Sequence, residues 1–458
     1  MSRYLYISFF SIIVISFFAC QKSTLDYVSQ PNIGAGQEVT EDTLTGSVKG
    51  TLKSGKIYYF ATDIRINKGD TLLMQPGSVL IALGDGSQNN SPQITNSGTL
   101  ISYGTQENPN FITVLPTLRQ DTNVCKGYWG GIQCDTTANV IIKWTHLEFA
   151  GAPAGSLADP ALYSSGDPRY TIAFTNINGQ FIVENSWIYG SKDDGMRVVS
   201  GKINVVGNTF ESCGKQGGES FNMKSGTVGN VAYNVSIGAA TNSFKVSNNK
   251  GSTPVQAVVN VYNNTILNGG FRQVKDGRGG SIDYEQGAAG KVYNNILVNV
   301  RFGLRYTADA DVNDIEYGNT LFYGNDAREI EQFWATDGVA KQQSSDIVST
   351  TVGANDPLFT NYNVNIVDFS KFTSVKPTLV LDITQMPYSI ITGEKHSFSL
   401  QSTSPALGKG YTGFTPTTDL PTTGNYGATL MNPGKDIGAY QSDGTGNQHY
   451  ISSLEATF

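Results

Sequence analysis

The sequence predicts an all-β chain wound as a right-handed parallel β-helix solenoid, with a short capping helix and an irregular C-terminal segment. Three observations carry this reading. Short apolar strands recur, and from the middle of the chain onward they end in asparagine: Phe181-Ile182-Val183-Glu184-Asn185, Ile203-Asn204-Val205-Val206-Gly207-Asn208, Val259-Asn260-Val261-Tyr262-Asn263-Asn264, Lys291-Val292-Tyr293-Asn294-Asn295 and Ile315-Glu316-Tyr317-Gly318-Asn319. Their spacing of roughly 20 to 30 residues matches one solenoid coil of strand, turn and strand. Glycine reaches 51 residues while only 15% of residues are charged, which excludes coiled coils and helix bundles. No pair of hairpin turns recurs at the intervals that propellers or sandwiches need.

In the first third, Gly50-Thr51-Leu52, Gly69-Asp70-Thr71-Leu72, Pro76-Gly77-Ser78-Val79-Leu80 and Gly98-Thr99-Leu100 each start or finish a strand bounded by turn residues. Asparagine suits the coil corner because it tolerates the left-handed backbone region and its amide can bond the next coil. With coils about 4.8 Å apart, Asn185, Asn208, Asn264, Asn295 and Asn319 are expected to form a ladder. Asp326, followed by Glu329 and then by Ile330, Phe333 and Trp334, has the form of a helix start with an apolar face that covers part of the core.

The N-terminus carries Arg3, an apolar run from Tyr4 to Ile15, and Phe17-Phe18-Ala19-Cys20. Such an order is a secretory signal, and the run is too short to span a bilayer permanently. With Cys in the last place it resembles a bacterial lipoprotein signal, which implies cleavage before Cys20 and lipidation of Cys20. An ordinary cleaved signal is the alternative. The expected division is a signal peptide at 1–19, a tether at 20–44, a parallel β-helix at 45–325, a C-terminal cap and closing β segment at 326–440, and a loose tail at 441–458.

Cleavage removes Arg3 and no acid, leaving 30 basic residues against 38 acidic ones. This argues against nucleic acid or anionic headgroups as main partners. Cys125 and Cys134 are close enough in sequence to form a disulfide in an oxidising compartment, with Cys213 left odd. The equal alternative is three small buried hydrophobes.

Asp63-Ile64-Arg65-Ile66-Asn67-Lys68-Gly69-Asp70-Thr71-Leu72, Pro76-Gly77, Gly98-Thr99-Leu100-Ile101 and Tyr128-Trp129-Gly130-Gly131-Ile132 resemble bacterial right-handed parallel β-helix lipoproteins of the pectate-lyase-like superfamily. The far end agrees: Asp356-Pro357-Leu358-Phe359, Ser404-Pro405-Ala406-Leu407 and Asp436-Ile437-Gly438-Ala439-Tyr440 are similar to the closing segment of such proteins. The resemblance implies architecture more than chemistry, since this fold carries lyases, hydrolases, adhesins and non-catalytic proteins.

Because stacked side chains fill the coil interior, chemistry is expected on outer faces and loops. Asp193 and Asp194, beside Lys192 and Arg197, could hold a cation or act as acid and base on a glycosidic bond; a strand-connecting turn is the alternative. A basic stretch of Arg272, Lys275, Asp276 and Arg278, with Asp283, Tyr284, Glu285, Arg301, Arg305 and Tyr306 about one coil on, could bind sugar carboxylates or sulfates; a solvated charged face explains it equally well. Asp309, Asp311 and Asn313 resemble the start of a calcium loop without its glycine and closing glutamate, so calcium is the only cofactor suggested and a turn the stronger reading.

The expectation is therefore a lipid-anchored protein of the outer membrane that binds polysaccharide as a non-catalytic accessory lipoprotein, with an outer-membrane protein complex as a further partner. One alternative is a lyase on uronate-containing glycans, with Lys275, Arg278, Arg301 or Arg305 as base and carboxylate clamp. The other is a structural or adhesive envelope protein.

Overall fold

The computed structural model describes residues 36–156, 163–248, 255–273, 275, 277–367, 369, 396–416, 418–447, 449, 454 and 456–458. Cys20 with its signal, and Asp276, lie outside them. The chain winds through three parallel faces in repeating order. Face one contains Ile64–Ile66, Gln93–Asn96, Gly131–Cys134, Ile172–Phe174, Asn242–Ser247, Gly280–Glu285 and Leu304–Tyr306. Face two contains Gly50–Leu52, Thr71–Met74, Thr99–Tyr103, Asn139–Lys143, Gln180–Glu184, Val258–Tyr262, Gly290–Tyr293 and Ile315–Gly318. Between them, Met196–Val206 and Phe221–Ala232 run through both faces, bending where the register shifts between Val199 and Gly201. Face three is a ten-stranded sheet from Ile57–Phe60 to Leu321–Tyr323.

Alternation along each strand sends every second side chain inward. On face one, Ile132, Ile172, Met196, Phe221, Phe244, Ile282 and Leu304 stack one above another through successive coils, and all are fully buried. At the end the predicted helix forms as Ala327–Ile330, its first turn capped by the Asp326 side chain accepting from the Arg328 amide. Phe333 and Trp334 behind it pack on Phe322, the last inward ring of face three.

The asparagine ladder exists, with Asn208, Asn264 and Asn295 in it as expected and Asn234 in addition, while Asn185 and Asn319 stand outside it. Its members are Asn208, Asn234, Asn264 and Asn295, at the corner between faces two and three. Each side-chain oxygen accepts the backbone amide of the corner one coil earlier: Ser186, Asn208, Asn234 and Asn264 in turn, at 2.9–3.0 Å. The side-chain amides donate to the carbonyls of Val183, Val205, Val231 and Val261. Asn185 and Asn319 stand one position earlier, where the backbone is left-handed (φ 49° and 51°) and Gly207, Tyr233, Asn263 and Asn294 serve as well. Asn185 and Asn319 thus satisfy a backbone requirement and Asn208 to Asn295 a hydrogen-bonding one.

Both ends of the rod extend beyond the expected limits. Val39 and Leu44 are buried and bridge to the first coil through Glu38–Thr51 and Thr43–Tyr59, so the end of the expected tether belongs to the rod. Beyond 325, Trp334 pairs with Leu304 and Ile347 with Leu321. The C-terminal segment then runs back along the solenoid. Phe359, Val364, Phe398, Ile437 and Ala439 cover the outward Val235, Ile237, Leu267, Ile296, Val298 and Tyr323 of face three, while Leu420 and Ala428 cover Ile101, Ile141 and Ile182 of face two. Among the described residues of the tail expected to be loose, Asn447 and His449 are buried, His449 packs on Trp187 at 4.3 Å, and Phe458 on Phe111 at 4.8 Å.

The expected disulfide is absent; Cys125, Cys134 and Cys213 are free and buried. Cys134 lies on face one and accepts from the Asn96 side chain at 3.6 Å. Cys125 sits in the preceding loop and donates to the Ser212 carbonyl, beside the Cys213 coil rather than Cys134. Burial pushes both thiols up to about 12, which keeps them protonated and unreactive.

The two corner positions make separable predictions. Asn234→Leu or Asn264→Leu strands a backbone amide and a carbonyl in the core, and each is expected to cost roughly 1 to 3 kcal/mol in denaturant titration. Asn185→Gly keeps the left-handed turn and is expected to change stability by a few tenths of a kcal/mol. Equal losses at both positions would show that the ladder has no special role.

Candidate functional site

The C-terminal segment packs on apolar outward patches of faces two and three, among them Ile101, Ile141 and Ile182 on face two and Val235, Leu267, Ile296 and Val298 on face three; the face-two column then continues as Asn204, Asn230, Asn260, Lys291 and Glu316. Face one carries a second polar column. Its outward column runs Thr95, Gln133, Ala173, Arg197, Asn222, Lys245, Asp283, Arg305 through successive coils. Charged groups at strand spacing on face one define the candidate site.

Its centre is Asp193, Asp194 and Glu219 around Asn222. Arg197 Nε donates to Asp194 Oδ2 at 2.7 Å, the Glu219 amide to Asp194 Oδ1 at 2.8 Å, and Asn222 Nδ2 to Asp194 Oδ2 at 3.0 Å and Glu219 Oε2 at 3.3 Å. Asp194 is buried, but Arg197 and the Glu219 hydrogen bonds outweigh burial and hold its carboxyl below the usual range. Glu219 goes the other way: burial and the Asp194 charge keep it protonated well above the usual range. Burial and Asp194 raise half-buried Asp193 to about 6. Burial and the charge of Lys245 bring Lys224 down to about 8. Groups shifted in opposite directions within one patch make it a candidate functional site.

One coil further, Lys245 Nζ lies 2.9 Å from Glu285. Arg305 reaches Asp283 at 3.1 Å, Glu285 at 2.8 Å and Asp337 at 2.7 Å. Burial and the Glu285 charge raise Asp283 to about 7, whereas Lys245 and Arg305 overcome burial to draw Glu285 down to about 2. These cations are matched by carboxylates.

On the N-terminal side of the strip lie the described residues, 149–156 and 163–171, of the connection between Thr145–Glu148 and Ile172–Phe174. Buried Arg169 organises them, donating to the carbonyls of Ala152, Pro153 and Ser91 and to Gln93 Oε1 at 2.8–3.0 Å. Its guanidinium occupies the space that a Cβ on Gly130 would need, at 2.2 Å, which accounts for one glycine of the Trp-Gly-Gly motif. Tyr163 donates its hydroxyl to Gln133. Against these residues lies a cleft of about 440 Å³, lined by Tyr163, Asp167, Pro168, Tyr170, Arg197 and Val199 among others.

The structure divides the residues singled out from sequence. Arg272 and Arg301 are fully buried and tie down turn carbonyls: Arg272 those of Cys213, Gly214 and Gly238, Arg301 those of Gly270 and Gln273. Turns that leave face three in left-handed conformation turn carbonyls away from the strand ladder, and a long buried donor satisfies them. Tyr284 and Tyr306 are core rings in edge contact at 5.5 Å, so neither can stack on a ligand. Lys275 and Arg278 are exposed on the loop, while Asp283, Glu285 and Arg305 form the paired network above. The expected basic cluster is therefore split between core and surface. Asp309 accepts from Thr307 and Gln286, and Asp311 from Gln256, as turn anchors; Asn313 is exposed. Among the described residues no group of three or more His, Cys, Asp or Glu is arranged to hold a metal ion.

Sequence reasoning missed Glu219, Asn222, Lys224 and Lys245. Their signal was available in the alternation of Phe221-Asn222-Met223-Lys224 and Phe244-Lys245-Val246, polar residues at every second position of buried strands. The fold and site define a parallel β-helix-like solenoid with an ion-paired column on face one. Comparison with family models, curated proteins and solved structures returns no match.

The shifts predict a pH dependence. Asp193 and Glu219 bind protons more tightly folded than unfolded, so their contribution is fully present below the unfolded values near 4 and is lost as pH rises through the folded ones. Stability is expected to fall from about pH 4 towards neutrality on their account, and Glu219→Gln, which cannot titrate, to flatten the decline. Urea midpoints measured across this range check it; parallel curves for variant and wild type would remove Glu219 from the account.

Proposed function

We propose that this chain is a bacterial cell-envelope lipoprotein of the pectate-lyase-like superfamily, anchored to the outer membrane through lipid on Cys20, that binds polysaccharide on face one without turning it over. The observation that supports the reading is the face-one column, in which Arg197, Asn222, Lys245, Asp283 and Arg305 stand in register along the solenoid axis, the cations ion-paired with neighbouring carboxylates. Arg197, Lys245 and Arg305 each stand beside a carboxylate. Paired donors and acceptors suit the hydroxyls of a neutral glycan, because a polyanion would meet as many carboxylates as cations. Half-buried Arg197, whose guanidinium lies 4.1 Å from the Tyr170 ring centroid, is the side chain best placed to touch it.

Lys224 favours a second reading. With its ammonium brought down to about 8, it is a candidate base for β-elimination beside a uronate, with Arg197 and Lys245 to neutralise the carboxylate. One assay separates the readings: purified protein on immobilised neutral and acidic polysaccharides, with the eluate examined for unsaturated ends. Retention on neutral glycan that persists at about 1 M salt, with no unsaturated product, is expected. Unsaturated ends that disappear in Lys224→Met would establish the lyase instead, and retention on none of the glycans would refute both. For the anchor, Cys20→Ser is expected to release the protein from the membrane fraction; unchanged retention would contradict it.

A further inference from the structure

An aromatic column of face two comes out from under its cover at one place. Tyr262 and Tyr293 are register partners on neighbouring coils. Tyr262 is sealed, with Phe414 edge-on at 5.2 Å and its hydroxyl donated to the Met431 carbonyl at 2.6 Å. Tyr293 is only half-buried, and the next position in its column is Gly318, which has no side chain. The segment crossing here is held by its backbone. The Tyr411 amide donates to Asn294 Oδ1 at 2.7 Å, Asn294 Nδ2 donates back to the Tyr411 carbonyl at 2.9 Å, and Asn319 Nδ2 donates to the Lys409 carbonyl at 2.9 Å. So clamped, the chain lays the Tyr411 ring beside Tyr293 at 4.7 Å and Phe414 at 6.4 Å, and over Gly413, where an added Cβ would stand 2.5 Å from the ring. Tyr411 is nevertheless 38% exposed, the largest exposed ring of this region. In the adjoining column Lys291 and Glu316 are ion-paired with each other and partly in water. Burial and then the Glu316 charge raise the Tyr293 hydroxyl, so the pair and the rings adjoin.

We propose that Tyr411, Tyr293 and the Lys291–Glu316 pair form a second binding site, on face two, for the sugar rings of a neutral glycan. A tyrosine offers an apolar ring to the C–H face of a pyranose and a polar tip to its hydroxyls. The amide clamp on residue 411 fixes that ring before a ligand arrives, which removes most of the ordering cost of binding. Lys291 supplies donors and Glu316 acceptors, and because their charges cancel, the pair suits uncharged hydroxyls better than an acidic sugar. A protein partner fits the patch poorly. A stable interface takes roughly 800 Å² from each side, whereas here two partly exposed rings stand beside an ion pair. The site shares a ligand class with face one and none of its residues, so either can stand without the other.

Two measurements test it. Linear hexasaccharides of glucose, mannose and xylose are titrated calorimetrically against the wild type, Tyr411→Ala and Tyr411→Trp. In parallel, nitration of Tyr411 by tetranitromethane is followed by peptide mass analysis in the wild type, with and without each sugar. For the glycan that binds, the wild type is expected to show two classes of site, Tyr411→Ala to weaken one of them by about tenfold or more, and Tyr411→Trp, which keeps a ring, to retain both. The same glycan is expected to slow nitration of Tyr411 several-fold. If Tyr411→Ala binds as the wild type does and nitration is unchanged, binding at face one stands and the face-two site is overturned. If the wild type shows a single class of site that Tyr411→Ala removes, with nitration slowed, the face-two site stands and the face-one reading falls. If no glycan binds, both fall. If Tyr411→Ala lowers the melting temperature, nitration of the wild type decides alone: protection supports the site, and its absence overturns it.

Discussion

The structure depends on how a parallel β-helix disposes of the side chains that point away from its core. Every strand sends half its residues outward, and here two of the three outer faces carry apolar stripes. Ile101, Ile141 and Ile182 on face two, and Val235, Leu267, Ile296 and Val298 on face three, would leave long apolar stripes in water. The chain covers them with its own C-terminal segment. Buried Glu184 fixes that cover to face two, accepting from the Thr429 amide and hydroxyl at 2.7 and 2.8 Å while paired with Lys143 at 3.0 Å. That cover leaves the Lys291–Glu316 pair at the far end of face two partly exposed.

Coil-to-coil order rests on the corner asparagines and on the column of inward apolar residues. A solenoid gains stability mainly between neighbouring coils, but the returning segment connects distant ones. Ala439 donates to Thr265 Oγ1, Asn447 to the Tyr233 carbonyl, and Arg119 to the Ala456 carbonyl. Arg119 is itself held by Glu148 at 2.6 and 2.8 Å. These contacts join coils far apart in sequence.

The architecture was legible in the sequence because coil repeats leave periodic marks: strand length, corner asparagine, glycine at turns and the Asp326 helix start. The ladder register was not fully legible. Two adjacent corner positions both favour asparagine, one for φ and one for its amide, and Asn234 follows Tyr233 where its neighbours show paired asparagines. The site was half legible. Asp193 and Asp194 stood out as adjacent acids, whereas Glu219 and Lys245 sit 25 and 51 residues from Asp194 and join it only through coil stacking. Arg272 and Arg301 misled because charge in a sequence suggests surface, while buried turn carbonyls recruit guanidinium groups inward. The C-terminal tail misled because its polar composition hides a few anchors, Asn447, His449 and Phe458, that are spaced to fit the rod.

The central claim is that the ion-paired column of face one is the working surface. Hydrogen exchange of the protein, free and saturated with the neutral glycan that it retains, tests this most directly. The account predicts added protection at residues 163–175, 196–199 and 221–224, with exchange unchanged in Asn139–Lys143, Val235–Ile237 and residues 420–447. Protection falling on those latter segments, with face one unaffected, would contradict it.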